Sequence, residues 1–234
     1  PSALNVNKTN NSATLTWDGY TGSAYSIEYG PTGFAPGTGI VVNGVSNNHI
    51  ITGLSQGTTY QVYVVNSCGT SLSPKVGPYA FTTEIVVPSP WYEGFATTSL
   101  PLGWAQNTSS TFGFSATPWN FQPFSPGHIC TYKELYTGSH NLSGLSTINV
   151  GPILAGDQLS FNYASSMYYA PYGPTSSENG SVSIMISTNF GETYSNLATI
   201  EFGAEGWQTF QQSLAPYVGQ IVRVKFVTNW LSED

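Results

Sequence analysis

Hydrophobic and polar residues alternate one for one over much of this chain. In Ala13-Thr14-Leu15-Thr16-Trp17 the Ala, Leu and Trp fall on one face and the two Thr on the other, which is the period of a half-buried strand. Ala3–Asn7 and Tyr25–Tyr29 read the same way, set apart by the turn signals Asn10-Asn11-Ser12 and Gly19-Tyr20-Thr21-Gly22. His49-Ile50-Ile51-Thr52-Gly53-Leu54 leads into a turn, Thr59–Val65 is the most strand-like run of the first half, and Phe81-Thr82-Thr83 closes it. Further along, Leu159, Phe161 and Tyr163 share a face, as do Val182, Ile184 and Ile186. Near the end, Val222, Val224 and Phe226 are expected inward, with Arg223 and Lys225 toward water. No window holds a helical period, so the expectation is all-β.

The pattern divides the chain into 1–84, a linker 85–90 stiffened by Pro88 and Pro90, and 91–234. Only 7% of residues are charged, yet 40% are hydrophobic, and disorder needs low hydrophobicity together with high net charge. The chain should therefore fold, and its 25 Gly, 15 Pro and 15 Tyr suit short strands joined by many turns. Five Lys and Arg against 12 Asp and Glu leave no basic footprint for nucleic acid. No apolar run approaches the ~18 residues of a membrane span. The low charge and the Ser/Thr/Asn-rich composition point to a secreted or cell-surface setting. Pro1 is no translation start and no secretory leader follows it, so a processed product, a fragment or part of a longer chain is expected. Cys68 and Cys130 form neither a disulfide framework nor a zinc spacing; a bridge between them would staple the two halves together, and two buried free thiols are expected ahead of it.

Within 1–84, Pro1-x-x-Leu4-x-Val6, Trp17 and Gly53-Leu54-x5-Tyr60-x-Val62-x-Val64 resemble a fibronectin type III domain. The Leu54 to Tyr60 spacing is similar to a tyrosine corner, whose hydroxyl returns to upstream backbone. Val65-Asn66-Ser67-Cys68-Gly69 followed by Phe81-Thr82-Thr83 is similar to modules of secreted Bacteroidetes-type proteins. Arg-Gly-Asp is absent from the sequence, so an integrin-ligand role is not implied.

The second half resembles the jelly-roll domains of the cleaved-adhesin and choice-of-anchor type, relatives of the MAM domain. The resemblance lies in Glu93-x-Phe95, Leu100-Pro101-x-Gly103-Trp104, Gly156-x-x-Leu159-x-Phe161, Ile186-Ser187-Thr188-x-x-Gly191-x-Thr193-Tyr194 and Tyr217-x-Gly219-x-x-Val222-x-Val224-x-Phe226. Such domains close with one more strand carrying an Asp-Asn pair, which would fall after Asp234. The resemblance thus implies a jelly roll lacking its last strand, with an unpaired edge there that another strand or chain would cover. It also implies Ca²⁺, held by carboxylates and carbonyls between opening and closing strands. Glu93 matches the opening acid. Asp157 is the next candidate, with an ordinary turn residue as its alternative.

Other motifs bear on chemistry. Gly53-Leu54-Ser55-Gln56-Gly57 satisfies the G-x-S-x-G pattern, but a nucleophile elbow needs a helix after it and a β-branched strand follows here. Ser187–Tyr194 resembles an Asp-box hairpin, with Asn189 and Tyr194 in place of the usual Asp and Trp. Such hairpins occur in sialidases, which clamp a carboxylate with several arginines. This chain has Arg223 alone. Glu178, Glu192, Glu201 and Glu205 carry no paired-carboxylate signature. His49, His128 and His140 lack metal-ligand spacing. The tyrosines of Met167–Pro174, namely Tyr168, Tyr169 and Tyr172, are expected in a long stiff loop, where exposed rings suit sugar or protein contact and buried ones would cap the core. Trp119–Phe124 is a second aromatic patch, expected to face the core.

The reading is a non-catalytic fragment of a secreted or cell-surface adhesin, acting as binding and spacer modules. Its partners would be a glycan or a host surface protein, and other domains of the same long chain. The alternatives are a carbohydrate-binding appendage of a secreted enzyme and a structural segment of a surface filament.

Overall fold

The computed structural model describes residues 2–19, 24–68, 71–110, 119–123, 128–131, 141–164, 180–201 and 206–230. The chain divides into two compact units, Pro1–Ile85 and Val86–Asp234, each with its own core. Among the described residues the only helical turn is a short 3-10 segment, Ala215–Tyr217.

The first unit holds β1 (Ser2–Lys8), β2 (Ser12–Asp18), β3 (Ala24–Pro31), β4 (Ile40–Val45), β5 (His49–Thr52), β6 (Thr59–Cys68), β7 (Ser71–Leu72) and β8 (Val76–Thr82). One antiparallel sheet has the order β1-β2-β5, and the other runs β4-β3-β6, with β7 and β8 both pairing β6. The alternation seen in the sequence decides what fills the space between them. Ala13, Leu15 and Trp17 of β2 meet Tyr25 and Ile27 of β3 and Val62 and Val64 of β6, all buried. Burying each large apolar side chain contributes roughly 1.5–3 kcal/mol. Trp17 packs edge-on against Tyr25 with ring centroids 5.2 Å apart.

On the β5 side, where strand pairing of β2 ends at Leu15, a side chain continues the ladder. The Trp17 N–H donates to Asn47 Oδ1 at 3.0 Å, and Asn47 Nδ2 donates to the Trp17 carbonyl at 2.8 Å. The asparagine thereby imitates one more rung of backbone pairing.

The second unit holds β9 (Val86–Val87), β10 (Ala105–Ser110), β11 (Asn120–Pro123), β12 (His128–Thr131), β13 (Asn141–Ser146), β14 (Asn149–Val150), β15 (Gln158–Tyr163), β16 (Gly180–Ser187), β17 (Ser195–Glu201), β18 (Gln208–Ser213) and β19 (Arg223–Trp230). Its main sheet has the order β10-β13-β19-β16-β17. The β15–β18 pair forms a second layer. Phe161 of β15 stacks on Phe210 of β18 at 4.9 Å and meets Phe226 of β19 edge-on at 5.2 Å. Ile184, Ile200 and Val224 lie buried in the same cluster. The architecture is thus all-β and sandwich-like, as the alternation predicted.

Three features add to the pattern read from the sequence. Within the expected linker 85–90, Val86 and Val87 pair in parallel with Asn149 and Val150, and the Gly151 N–H donates to the Val87 carbonyl at 2.9 Å. The apolar Val-Val dipeptide is strand-forming, and the prolines come after it, where no ladder donor is needed. The expected unpaired edge is not at Arg223–Trp230, because β19 pairs with β13 on one side and β16 on the other; among the described residues the edges of that sheet are β10 and β17. Arg223 is not directed simply to water. Its guanidinium is held by two backbone carbonyls, because the chain on that side passes within reach of its long stem.

Candidate functional site

In the first unit the G-x-S-x-G segment is the connection from β5 to β6. The Ser55 N–H donates to the Tyr60 hydroxyl at 2.9 Å, and the Ser55 carbonyl accepts the Thr83 hydroxyl at 2.6 Å. Gly53 and Gly57 have φ of +75° and +62°, which glycine adopts without steric cost. The motif is a corner rather than a nucleophile elbow: strands flank it on both sides.

The most fully buried carboxylate of this unit is one the sequence did not single out. Glu28 lies on β3 and is 4% exposed. Its Oε1 accepts the N–H groups of Gly37 and Gly39 at 2.5 and 3.0 Å, and its Oε2 accepts the Lys75 ammonium at 2.5 Å. The Lys75 hydrogen bond holds its carboxyl below the usual glutamate value; burial pulls the other way, and the two amides add to the lowering. Gly39 is required for the fit, since a Cβ there would stand 2.9 Å from the Tyr29 carbonyl oxygen and 2.5 Å from the Phe34 ring.

In the second unit the two expected metal ligands each hold a turn. Glu93 Oε1 accepts the Phe95 N–H at 2.7 Å. Phe95 itself sits at φ +51°, with its ring against Trp104 and Phe121 at 5.4 and 5.6 Å. Asp157 Oδ2 accepts the Leu154 N–H at 2.7 Å and the Ser89 hydroxyl. The Asp157 carbonyl accepts the Leu214 N–H at 3.0 Å. The Ser89 hydroxyl, then the Leu154 amide, hold the Asp157 carboxyl below its usual value. Among the described residues, no group of three or more His, Cys, Asp and Glu side chains gathers where it would hold a metal ion.

The Asp-box-like segment is a side-chain-laced hairpin between β16 and β17. Asn189 Oδ1 accepts the Thr193 N–H at 3.0 Å and the Ser187 hydroxyl at 2.8 Å. Ser187 Oγ in turn accepts the Gly191 N–H at 2.9 Å. Tyr194 lies beside Lys225, whose ammonium stands 5.4 Å from the ring centroid. Arg223 Nε donates to the Thr147 carbonyl at 2.8 Å and its Nη2 to the Gly103 carbonyl at 3.3 Å. The guanidinium is thus engaged with main chain.

Glu192 and Glu201 are exposed, and His49 is half-buried in β5. Tyr168, Tyr169, Tyr172, Glu178, Glu205 and His140 lie outside the described residues, as do the side chains of Cys68, Cys130 and His128. What the described side chains do chemically is to hold main-chain groups in turns and connections.

The first unit's paired antiparallel sheets, the Trp17 core and the Tyr60 corner define a β-sandwich module of the immunoglobulin-like class. The family model of the fibronectin type III domain matches residues 1–78, and the first unit carries that domain. Among curated proteins none matches the chain. Solved structures include the fibronectin type III domain of the human collagen alpha-1(XX) chain, at 25% identity over 36% of this chain and 82% of that one, with a TM-score of 0.31. A two-domain fibronectin type III segment of chicken tenascin is 13% identical over 100% of this chain and 93% of that one, at a TM-score of 0.31. A carbohydrate-binding module of the β-sandwich superfamily is 12% identical over 100% of this chain and 92% of that one, again at 0.31.

Proposed function

We propose that this protein is a non-catalytic binding and spacer segment of a larger secreted or cell-surface adhesin, in which a fibronectin type III domain precedes a jelly roll of the cleaved-adhesin type. One observation carries the reading. Among the described residues, Glu28, Glu93, Asp157 and Arg223 are each bonded to backbone groups of their own unit, as suits a scaffold. The proposed partner is a glycan or a host surface protein, met by Tyr168, Tyr169 and Tyr172. Other domains of the same long chain would flank it.

The reading includes bound Ca²⁺ at Glu93 and Asp157. Each uses one carboxylate oxygen in the bonds above, and the other is a hard donor suited to this ion. Two carboxylates fall short of the ~6–8 oxygens that Ca²⁺ takes, so carbonyls and water would complete the shell.

Glycan-array and cell-binding assays test the reading. A signal lost on replacing Tyr168, Tyr169 and Tyr172 together by Ala supports it. Turnover of a glycoside, ester or peptide that disappears with a single Glu or Ser substitution overturns it. Calorimetric titration with calcium chloride tests the ion separately: a binding heat abolished by Glu93→Gln and by Asp157→Asn is expected, and no heat in the unsubstituted protein refutes the ion alone.

A further inference from the structure

β4 contains the dipeptide Asn43-Gly44. The strand lies at the edge of its sheet, with β3 on one side only. Tyr25 pairs with Val45 and Ser26 with Asn43, so Gly44 is the extra residue of a bulge. Asn43 and Gly44 are both exposed. Gly44 has φ +69°, and a Cβ built on it would meet nothing within 4 Å. The Asn43 carboxamide makes no hydrogen bond among the described residues.

We propose that Asn43 is a site of spontaneous covalent modification, at which the folded protein converts asparagine to a mixture of aspartyl and isoaspartyl residues. The reaction requires the nitrogen of the next residue to approach the side-chain carbonyl carbon. A bulky following residue hinders that approach; glycine does not, and an edge bulge leaves the peptide unit free to turn. The Gly44 nitrogen gives its proton to solvent base and bonds to Asn43 Cγ. The Cγ–Nδ2 bond breaks and nitrogen leaves as ammonia, closing a succinimide ring. Water then opens the ring. Attack at Cγ returns an aspartyl residue, and attack at the main-chain carbonyl gives an isoaspartyl residue, in which the backbone runs through the former side chain. Nothing is oxidised or reduced, and water is the sole co-reactant.

Either product adds one negative charge to the outer strand of the first unit. The isoaspartyl form also inserts one carbon into the main chain at the bulge, so the residues after it no longer keep their register against β3.

The full chain, folded and unfolded in denaturant, is incubated in mildly alkaline buffer and followed by peptide mapping and by isoaspartyl methyltransferase labelling. The peptide spanning β4 is read against the one spanning Asn179-Gly180, the other Asn-Gly pair. Conversion of Asn43 in the folded chain within about tenfold of its rate in the unfolded chain is expected, as for a segment whose local opening costs little. A slower rate than that overturns the proposal. Asn43→Gln should remove the β4 label and leave the other pair's label unchanged; a β4 label that persists in this variant overturns the assignment.

Discussion

Tyr60 and Ser55 are joined by a single bond, from the Ser55 N–H to the phenol oxygen at 2.9 Å. It spans five residues and fixes the turn between β5 and β6. The Tyr60 ring, 8% exposed, stacks on Phe81 with centroids 5.9 Å apart.

Tyr60→Phe keeps that stacking and removes only the acceptor. The Ser55 N–H is left with no partner in a part-buried turn, and a loss of about 1–3 kcal/mol follows. Denaturant unfolding of the first unit measures it. A midpoint equal to that of the unsubstituted protein contradicts the corner.

Glu28 links the first unit's stability to acid. Its folded-state pKa is lowered, chiefly by Lys75, so the stabilisation is complete above the unfolded value of about 4.3 and is lost as pH falls through the lowered folded value. Thermal melting against pH should show this fall, and Glu28→Gln should flatten it. At neutral pH, Lys75→Met should destabilise by about 1–2 kcal/mol, a modest figure because the lysine side chain is 43% exposed and screened.

Gly39→Ala tests the crowding beneath that carboxylate. A Cβ placed 2.9 Å from a carbonyl oxygen forces the backbone to shift, with a cost of about 1–3 kcal/mol. Gly33→Ala makes a contrast: open space surrounds that position, and its cost is confined to the strain of its positive φ, about 1–2 kcal/mol.

Asn189 holds the hairpin through its carbonyl oxygen, which accepts two bonds, and through Nδ2, which donates to the Thr193 hydroxyl at 2.8 Å. Asn189→Asp keeps both accepting bonds but loses the Nδ2 donation, so it should cost less than Asn189→Ala, which should lose about 1 kcal/mol. Hydrogen exchange at the Thr193 amide reports on it directly, because that N–H is freed in the alanine variant.

Arg223→Lys should not rescue Arg223→Ala. One ammonium cannot reproduce a planar fork that serves the Thr147 and Gly103 carbonyls together. A lysine variant as stable as the parent refutes the clamp.

Elements with clean alternation were legible in the sequence: β2, β6 and β15 each show period two because one face meets a core and the other does not. The Tyr60 corner was legible because its partners are close in sequence. β4 was not, since an edge strand with exposed Ile40 and Val41 at 58% and 54% carries no alternation. β9 was obscured by the prolines that follow it. Glu28 escaped notice because its partner Lys75 is 47 positions away, and Arg223 because its carbonyl on Thr147 is 76 away. Local pattern reports which face is apolar; it does not report which distant backbone a charged side chain reaches.

The central place of β19 sets the order of events in time. β10, β13, β16 and β17 leave the ribosome before it, yet among the described residues β13 and β16 are joined through β19. Until Arg223–Trp230 arrives, the main sheet exists as two separate pairs with open inner edges. The first unit closes from its own residues and has no such wait. Synthesis therefore delivers a finished first unit followed by an unfinished second one, whose two inner edges stay open to foreign strands until Arg223–Trp230 slides between them.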